Sequence, residues 1–442
     1  MMLPKHLFAS TLYRPFHTIL AVLLLALTLL PAHAQDTYNI EVSPVGLTSI
    51  PIALPLPLLS TGLAPQFAQS FRDIILSDLS YAGIISVLPE QAYIADGHSA
   101  EVDYRNWLLI GAEFLVSIEL VLDGADIEGR LRVHDMALKR EKANVRIRGR
   151  FDDHILLAHE IAGRILWEVS GIKGFFNSRI AFVSDRAGDG KQIHVMDFDG
   201  RNLLNLTRNN SINIIPHWVD EANIAFTSYV RQRPEVFVRN LTAGRTSVLA
   251  SYGGTNTGGI VSPDGRYFAV TISRDGNSDI FLLHRDGRMF KQLTDHRAID
   301  VSPSWSPDGK HIAFVSDRSG SPQIYKLNVE TLQATRLTFK NRYNTSPSWS
   351  PDGKKIAFTS LENNVFNIYT VDENGYNPRK LTEGTGHNES PQWSPDSNYL
   401  VFTSNRTGEY KLYIMDSTGT FQKRLPDGAG NNAMPSWLVF LQ

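Results

Sequence analysis

Several stretches of this 442-residue chain carry residue types that could do chemistry. His154 and His159 stand five apart on an amphipathic segment. The H-E-x-x-H spacing that turns two imidazoles toward one zinc ion is shorter, so no metal site is expected there. The run GGTNTGG, Gly253 to Gly259, could bring backbone N–H groups against a phosphate, but it lacks the Lys-Ser/Thr of a P-loop. DFDG, Asp197 to Gly200, lacks the further oxygen ligands and terminal Glu of a calcium loop, and it falls where a hairpin is due. The aspartates of the SPDG phrases, such as Asp308, sit among Pro and Gly in their favoured turn positions, so turn chemistry accounts for them. There is no G-x-S-x-G nucleophile elbow and no cysteine. The expectation is no catalytic residue, no metal and no cofactor.

One polar set recurs along the chain. Three residues before the Pro of each PxW, or its equivalent, stand Asn213, Asn256, Asp300, Asn344, Asn388 and Asn432. Asn and Asp suit the turn leading into a strand. Six of them at one equivalent place could also ring the mouth of a tunnel and aim amides and a carboxylate at a partner. Thr255, Thr345, His387 and Glu389 stand beside them. A polar mouth of this kind suits hydrogen-bonded, water-rich recognition of another protein.

The elements that would position this ring come from an internal repeat. SPSWSPDGKHIAF (Ser302 to Phe314) returns as SPSWSPDGKKIAF (346 to 358) and SPQWSPDSNYLVF (390 to 402), each 44 residues on. The second half alone occurs six times, at Ile180, Ile224, Phe268, Ile312, Ile356 and Leu400. Phe281, Tyr325, Tyr369 and Tyr413 keep the same step, as do Thr294, Thr338 and Thr382. Each unit reads as four short strands joined by tight turns, which is the pattern of a propeller blade. A lone blade cannot bury both faces, and Trp305, Trp349 and Trp393 are expected to pack between blades. The first unit lacks its PSW strand, while the chain ends on an orphan MPSWLVF, Met434 to Phe440. Pairing the chain's end with the first unit would close the ring and leave no open sheet edge.

Ahead of the repeats, residues 35–172 read as a small α/β domain. Phe67, Phe71, Ile74, Ile75 and Leu79 follow helical spacing after Pro65. Ile84 to Leu88 reads as a buried strand, and a hairpin turns near Asp123-Gly124. A third alternating strand is ANVRIRGRF. A helix with Leu157, Ile161, Ile165 and Val169 on one face stops at Gly171. The prolines from Pro51 to Pro57 are expected to interrupt any regular element. The segment Asp36 to Val42 alternates Tyr38, Ile40 and Val42, suiting either an edge strand or a peptide offered to a partner by strand addition.

Charge and leader bound the setting. With 43 basic and 45 acidic residues, the net charge of −2 favours neither nucleic acid nor an anionic membrane surface. Lys5 and Arg14 precede an apolar run, Thr18 to Leu30, followed by Ala-His-Ala. That is the form of a secretory signal (residues 1–34) cut after Ala34. The run is short of the ~20 residues of a spanning helix, so the exported chain is expected to have no membrane span.

The PxWSPDGxxIAFxS blades, the junction VSGIKGFFNSRIAFVSD (Val169 to Asp185), the leader and the α/β domain together resemble the TolB family, over nearly the whole chain. One unit departs from the pattern, with Gly259 and Val261 where its neighbours have Pro and Trp. The resemblance implies an all-β six-bladed β-propeller of WD40-like, four-stranded blades (173–442) behind the α/β domain. It implies a monomeric, non-catalytic periplasmic scaffold of the Tol-Pal system. The lipoprotein Pal would bind at the propeller mouth, through the ring and its neighbours, and TolA would bind the N-terminal segment through Tyr38, Ile40 and Val42. Outer-membrane integrity, constriction at cell division and bacteriocin import are the processes implied. A periplasmic lyase or sugar-binding propeller is the second reading, separable by a thermal-shift screen with sugars and metals.

Overall fold

The structure is a computed structural model that describes residues 49–438, apart from Asp96, Ala100, Asp189, Asp275 and Thr385. The leader and the segment with Tyr38, Ile40 and Val42 lie outside the described residues. Among those described, no helix is long and apolar enough to cross a membrane.

The α/β portion is one mixed sheet. Its strands are β1 (Ile50–Ala53), β2 (Leu58–Leu59), β3 (Ile85–Val87), β4 (Phe114–Asp123), β5 (Asp126–Asp135) and β6 (Arg140–Arg150). They lie in the order β3-β1-β4-β5-β6, with β2 also paired to β4. Helices α1 (Pro65–Ser80) and α3 (His154–Ser170) pack on each other, and α3 lies against β5 and β6; α2 (Tyr104–Leu109) is short. The spacing explains the two long helices. Phe71, Ile74, Ile75 and Leu79 of α1, and Leu157, Ile161, Ile165 and Val169 of α3, are buried in one cluster with the strands. Gly171 ends α3 at φ 76°, a left-handed conformation that glycine adopts without the Cβ clash.

Two expectations are corrected. Ile85 and Val87 are half-buried and Ser86 is exposed, because β3 is the outer strand of the sheet. The proline run does contain a regular element: β1, carrying Pro51, lies between β3 and β4. Its register explains how. Pairing of β1 with β4 starts at Ile52↔Phe114, so the N–H that Pro51 lacks would lie beyond the start of that ladder.

The propeller has six blades, each a four-stranded antiparallel sheet. Blades 2 to 6 follow chain order, with innermost strands Asn213–Asp220, Asn256–Val261, Asp300–Trp305, Asn344–Trp349 and Asn388–Trp393. Blade 1 takes its innermost strand, Asn432–Trp437, from the chain's end and pairs it with Arg179–Ser184, in the register Asn432↔Ser184 and Trp437↔Ile180. The turn reading of SPDG holds at atomic level. Gly309 N–H donates to Ser306 O (3.0 Å), Ser306 Oγ donates to Asp308 Oδ1 (2.6 Å), and that same oxygen accepts Lys310 N–H. DFDG is likewise a turn, closed by Gly200 N–H on Asp197 O (2.9 Å). The tryptophans join blades as expected: Trp305 Nε1 donates to Ile260 O (3.2 Å) and Trp393 Nε1 to Ser348 O (3.1 Å), each on the preceding blade.

Candidate functional site: the propeller tunnel and its rim

The six Asn/Asp residues are brought together as expected in position, each being the first residue of an innermost strand. Their direction is not as expected. All six are buried, at 0–1% exposure, so the ring does not aim its amides at a partner. It anchors the start of each innermost strand instead, in three cases to the preceding blade. Asn213 Nδ2 donates to Gln192 Oε1 (3.2 Å) and Asn344 Nδ2 to Gln323 Oε1 (2.9 Å), in each case on the third strand of the preceding blade. Those glutamines in turn accept from Thr207 Oγ1 (2.7 Å) and Thr338 Oγ1 (2.8 Å). Asp300 pairs with Arg318 at 2.8 Å, and Asn388 accepts Arg406 Nη2 at 2.9 Å. Asn256 instead binds the loop before it, donating to Tyr252 O at 2.8 Å. At the ring's closure Asn432 Oδ1 accepts Arg186 Nη2 of blade 1 (3.0 Å) while its Nδ2 donates to Asp427 Oδ2 of blade 6 (2.9 Å). A buried polar group must be paired or it costs stability, and this network gives each of the five amides and the carboxylate at least one partner, with Asp300 Oδ1 and Asn344 Oδ1 left unpaired.

The flanking candidates sit nearer solvent. Thr255 is exposed, and Thr345, His387 and Glu389 are half-buried. His387 Nδ1 accepts Phe366 N–H (3.2 Å), and Tyr410 OH donates to Glu389 Oε1 (3.3 Å). Burial pushes the Glu389 carboxyl above its usual range.

Just past the ring, each innermost strand carries one extra residue. The register skips between Val301 and Ser304, between Thr345 and Ser348, and at the equivalent step in all six blades. The residues there have positive φ: Ile215 (56°), Gly258 (85°), Ser302 (54°), Ser346 (51°), Ser390 (55°) and Met434 (51°). Only one of them is glycine, and Ile215 is β-branched, so the conformation is strained. The preceding blade supports it in three cases: Thr227, Thr359 and Thr403 accept the N–H of Gly258 (3.1 Å), Ser390 (3.0 Å) and Met434 (3.1 Å). A bulge re-aims the chain, and these six turn their Ser-Pro-type peptides into a central cavity of about 360 Å³. The wall is free of Asp, Glu, Lys and Arg. Its one titratable side chain, His217, is pushed down to about 4 by burial and is neutral at pH 7. Such a wall can hold an uncharged, hydrogen-bonding segment of a partner.

A second constellation lies between the α/β layer and blade 1, and no local sequence pattern marks it. His159 Nδ1 meets Asp78 Oδ2 at 2.6 Å and its Nε2 meets Asp199 Oδ2 at 3.4 Å. Burial works against a charged ring here, but the bonds to Asp199 and Asp78 outweigh it and raise the imidazole to about 9. Burial also pushes Asp78 up, while Asp199, within reach of His159 and Arg201, is held low. Nearby, Tyr399 OH donates to Ala82 O (2.8 Å), and Phe175 packs on Tyr399 and Trp437. These groups join the two parts of the molecule.

A family model described as the TolB beta propeller domain matches residues 167–441, and one described as the TolB amino-terminal domain matches 38–142. The Tol-Pal system protein TolB of Desulfosudis oleivorans is 35% identical over 285 residues, 62% of this chain and 64% of that protein. The protein TolB homolog of Chlorobium chlorochromatii is 34% identical over 282 residues, 62% of this chain and 63% of that one. The chain thus spans just under two thirds of the length of these relatives. The crystal structure of TolB from Acinetobacter baumannii superposes with a TM-score of 0.80 at 26% identity, over 88% of this chain and 96% of that one.

Proposed function

The chain belongs to the TolB family, and from that premise we propose that it is a non-catalytic periplasmic scaffold of the Tol-Pal system. Pal binds at the tunnel mouth and TolA binds the segment Asp36 to Val42. The scaffold serves outer-membrane integrity and constriction at division. The observation that carries the reading is the tunnel. Six strained bulges converge on a cavity walled by serine, proline, threonine and backbone. That surface suits gripping a protein segment, and its groups are not poised to break a bond. The buried ring refines where contact is made: Thr255, Thr345, His387 and Glu389 face the partner, and the Asn/Asp residues hold the rim that presents them.

Affinity capture from a periplasmic extract, with the exported chain as bait, should recover a peptidoglycan-associated lipoprotein; recovery of small ligands alone would sink the reading. In calorimetric titration, Thr345→Ala with Glu389→Gln should weaken Pal binding by at least about 1 kcal/mol, since interface energy concentrates in few residues. Removing Asp36 to Val42 should abolish TolA capture and leave Pal binding intact.

A further inference from the structure

Among the described residues, β6 is the outer strand of the α/β sheet, paired with β5 and open on its other side. A groove of about 590 Å³ runs along that open edge, within the ~300–1,000 Å³ common for ligand sites. Strand residues 145–148 form one wall, α3 the floor, and the linker at Lys173 the far side. The linker is seated against the helix where two glycines meet: a Cβ built on Gly174 would lie 2.3 Å from the Cα of Gly163.

The edge is cationic. Arg164 and Lys173 stand on its α3 side with the single carboxylate of Glu160, and Arg146 and Arg148 belong to the strand itself. Arg148 is engaged by Asp123 (2.7 Å) and Arg164 by Glu168 (2.6 Å), whereas Arg146 and Lys173 make no ion pair among the described residues. The groove also has an apolar platform, since Trp167 of α3 is 44% exposed. Side chains alternate along the strand. Ile147 points into the core beside α3 and is 8% exposed, so Arg146 and Arg148 point the other way. A strand added to this edge inherits the same alternation. Its inward residues would meet Trp167 and its outward residues would lie beside the arginines.

We propose that the edge of β6 is a second protein-binding site, one that takes an extended peptide of alternating apolar and acidic residues by strand addition. A second copy of this chain is a poor occupant, because two β6 edges would set arginine against arginine, and like charges directly opposite repel. The same basic side chains that keep the edge from pairing with itself leave it complementary to an acidic strand.

The probe is a fluorescein-labelled ten-residue peptide alternating Val and Glu, read by anisotropy on the full chain, with a Val/Lys peptide as control. The acidic peptide should bind and the basic one should not. Arg146→Glu with Lys173→Glu changes two exposed residues; it should leave the melting temperature unchanged and weaken binding at least about tenfold. Amide exchange at residues 145–148 should slow when the acidic peptide is bound. Equal binding of both peptides, or no effect of the charge reversals, would overturn the proposal. So would binding without amide protection, which is the sign of ion adsorption, or a β6-dependent dimer in sedimentation. None of these results touches the tunnel reading, which is tested with Pal.

Discussion

Between blades 2 and 3 the apolar junction is drawn from those two blades and the chain between them: Val219, Ala225, Val236 and Leu249 face Phe268, Val270, Phe281 and Leu283, with Ala250 and Ile272 beside them. The other consecutive pairs, from blades 1 and 2 to blades 5 and 6, are built alike. Between blades 6 and 1 the equivalent residues do not stop there. Val401, Leu412 and Ile414, with Ile180, Phe182 and Met196, run on into the α/β core through Phe175, Phe176 and Tyr399. Five junctions are thus held by what their two blades bring. The sixth adjoins blade 1, which among the described residues is the only blade completed by pairing between distant parts of the chain, and the α/β layer is packed over it. The lesson is that the weakest topological point of the ring is also its most heavily buried one.

The largest expected effect comes from breaking that point outright. Deleting Met434 to Gln442 removes most of the innermost strand of blade 1 and bares the edge of Arg179–Ser184. Calorimetry should show the cooperative transition lost, a change comparable with the whole ~5–15 kcal/mol stability of a domain, and sedimentation should show aggregation. A monomer with an unchanged melting temperature would refute closure.

A sharper comparison swaps one tryptophan at each kind of junction. Trp437 is 3% exposed and Trp393 is 4% exposed, so →Ala at either should cost about 3–5 kcal/mol. Of the two, only Trp437 belongs to the cluster that runs into the α/β core, packing on Phe175 of the linker and Phe198 of blade 1, and its Nε1 donates to Ser178 Oγ at 2.7 Å. Trp437→Ala should therefore split melting into two transitions, and Trp393→Ala should lower a single one.

The closure seam should also be the alkali-sensitive junction. His159 has its pKa raised from 6.5 to about 9 in the folded chain. A raised folded value means that its contribution is complete below about pH 6.5 and is lost as pH climbs through 9, up to about 3 kcal/mol. Thermal melts at pH 6 and pH 9.5 should differ more in the native chain than in His159→Gln. Equal pH dependence in both would remove the imidazolium from the seam. The smallest effect is expected for Tyr399→Phe, which leaves Ala82 O without its 2.8 Å donor and should cost about 1–2 kcal/mol in denaturant titration.

The propeller was legible because its signal is residue identity at a fixed step, and the orphan MPSW at the chain's end fits only one gap. The position of the Asn/Asp ring was legible for the same reason. Its direction was not: the third-strand residues at the matching place are Gln192, Glu235, Asp279, Gln323, Asn367 and Lys411, whose types share no single identity for the eye to align. The six bulges escaped notice because a backbone of positive φ at Ser or Ile leaves no mark in composition. The Asp78–His159–Asp199 bridge joins residues 81 positions apart on one side, and no local pattern connects them. β1 was hidden by Pro51, since a proline argues against a strand flanked on both sides unless the register at that residue is known.

The shared blade carries a consequence for synthesis. Arg179–Ser184 leaves the ribosome about 250 residues before its partner Asn432–Trp437 and must wait with one side unpaired, while later blades can complete themselves as they emerge. The fold therefore measures its own length. A chain cut short between residues 184 and 432 keeps an open strand edge that marks it for aggregation or proteolysis, and only a chain in which the strand Asn432–Trp437 has been translated can hide it.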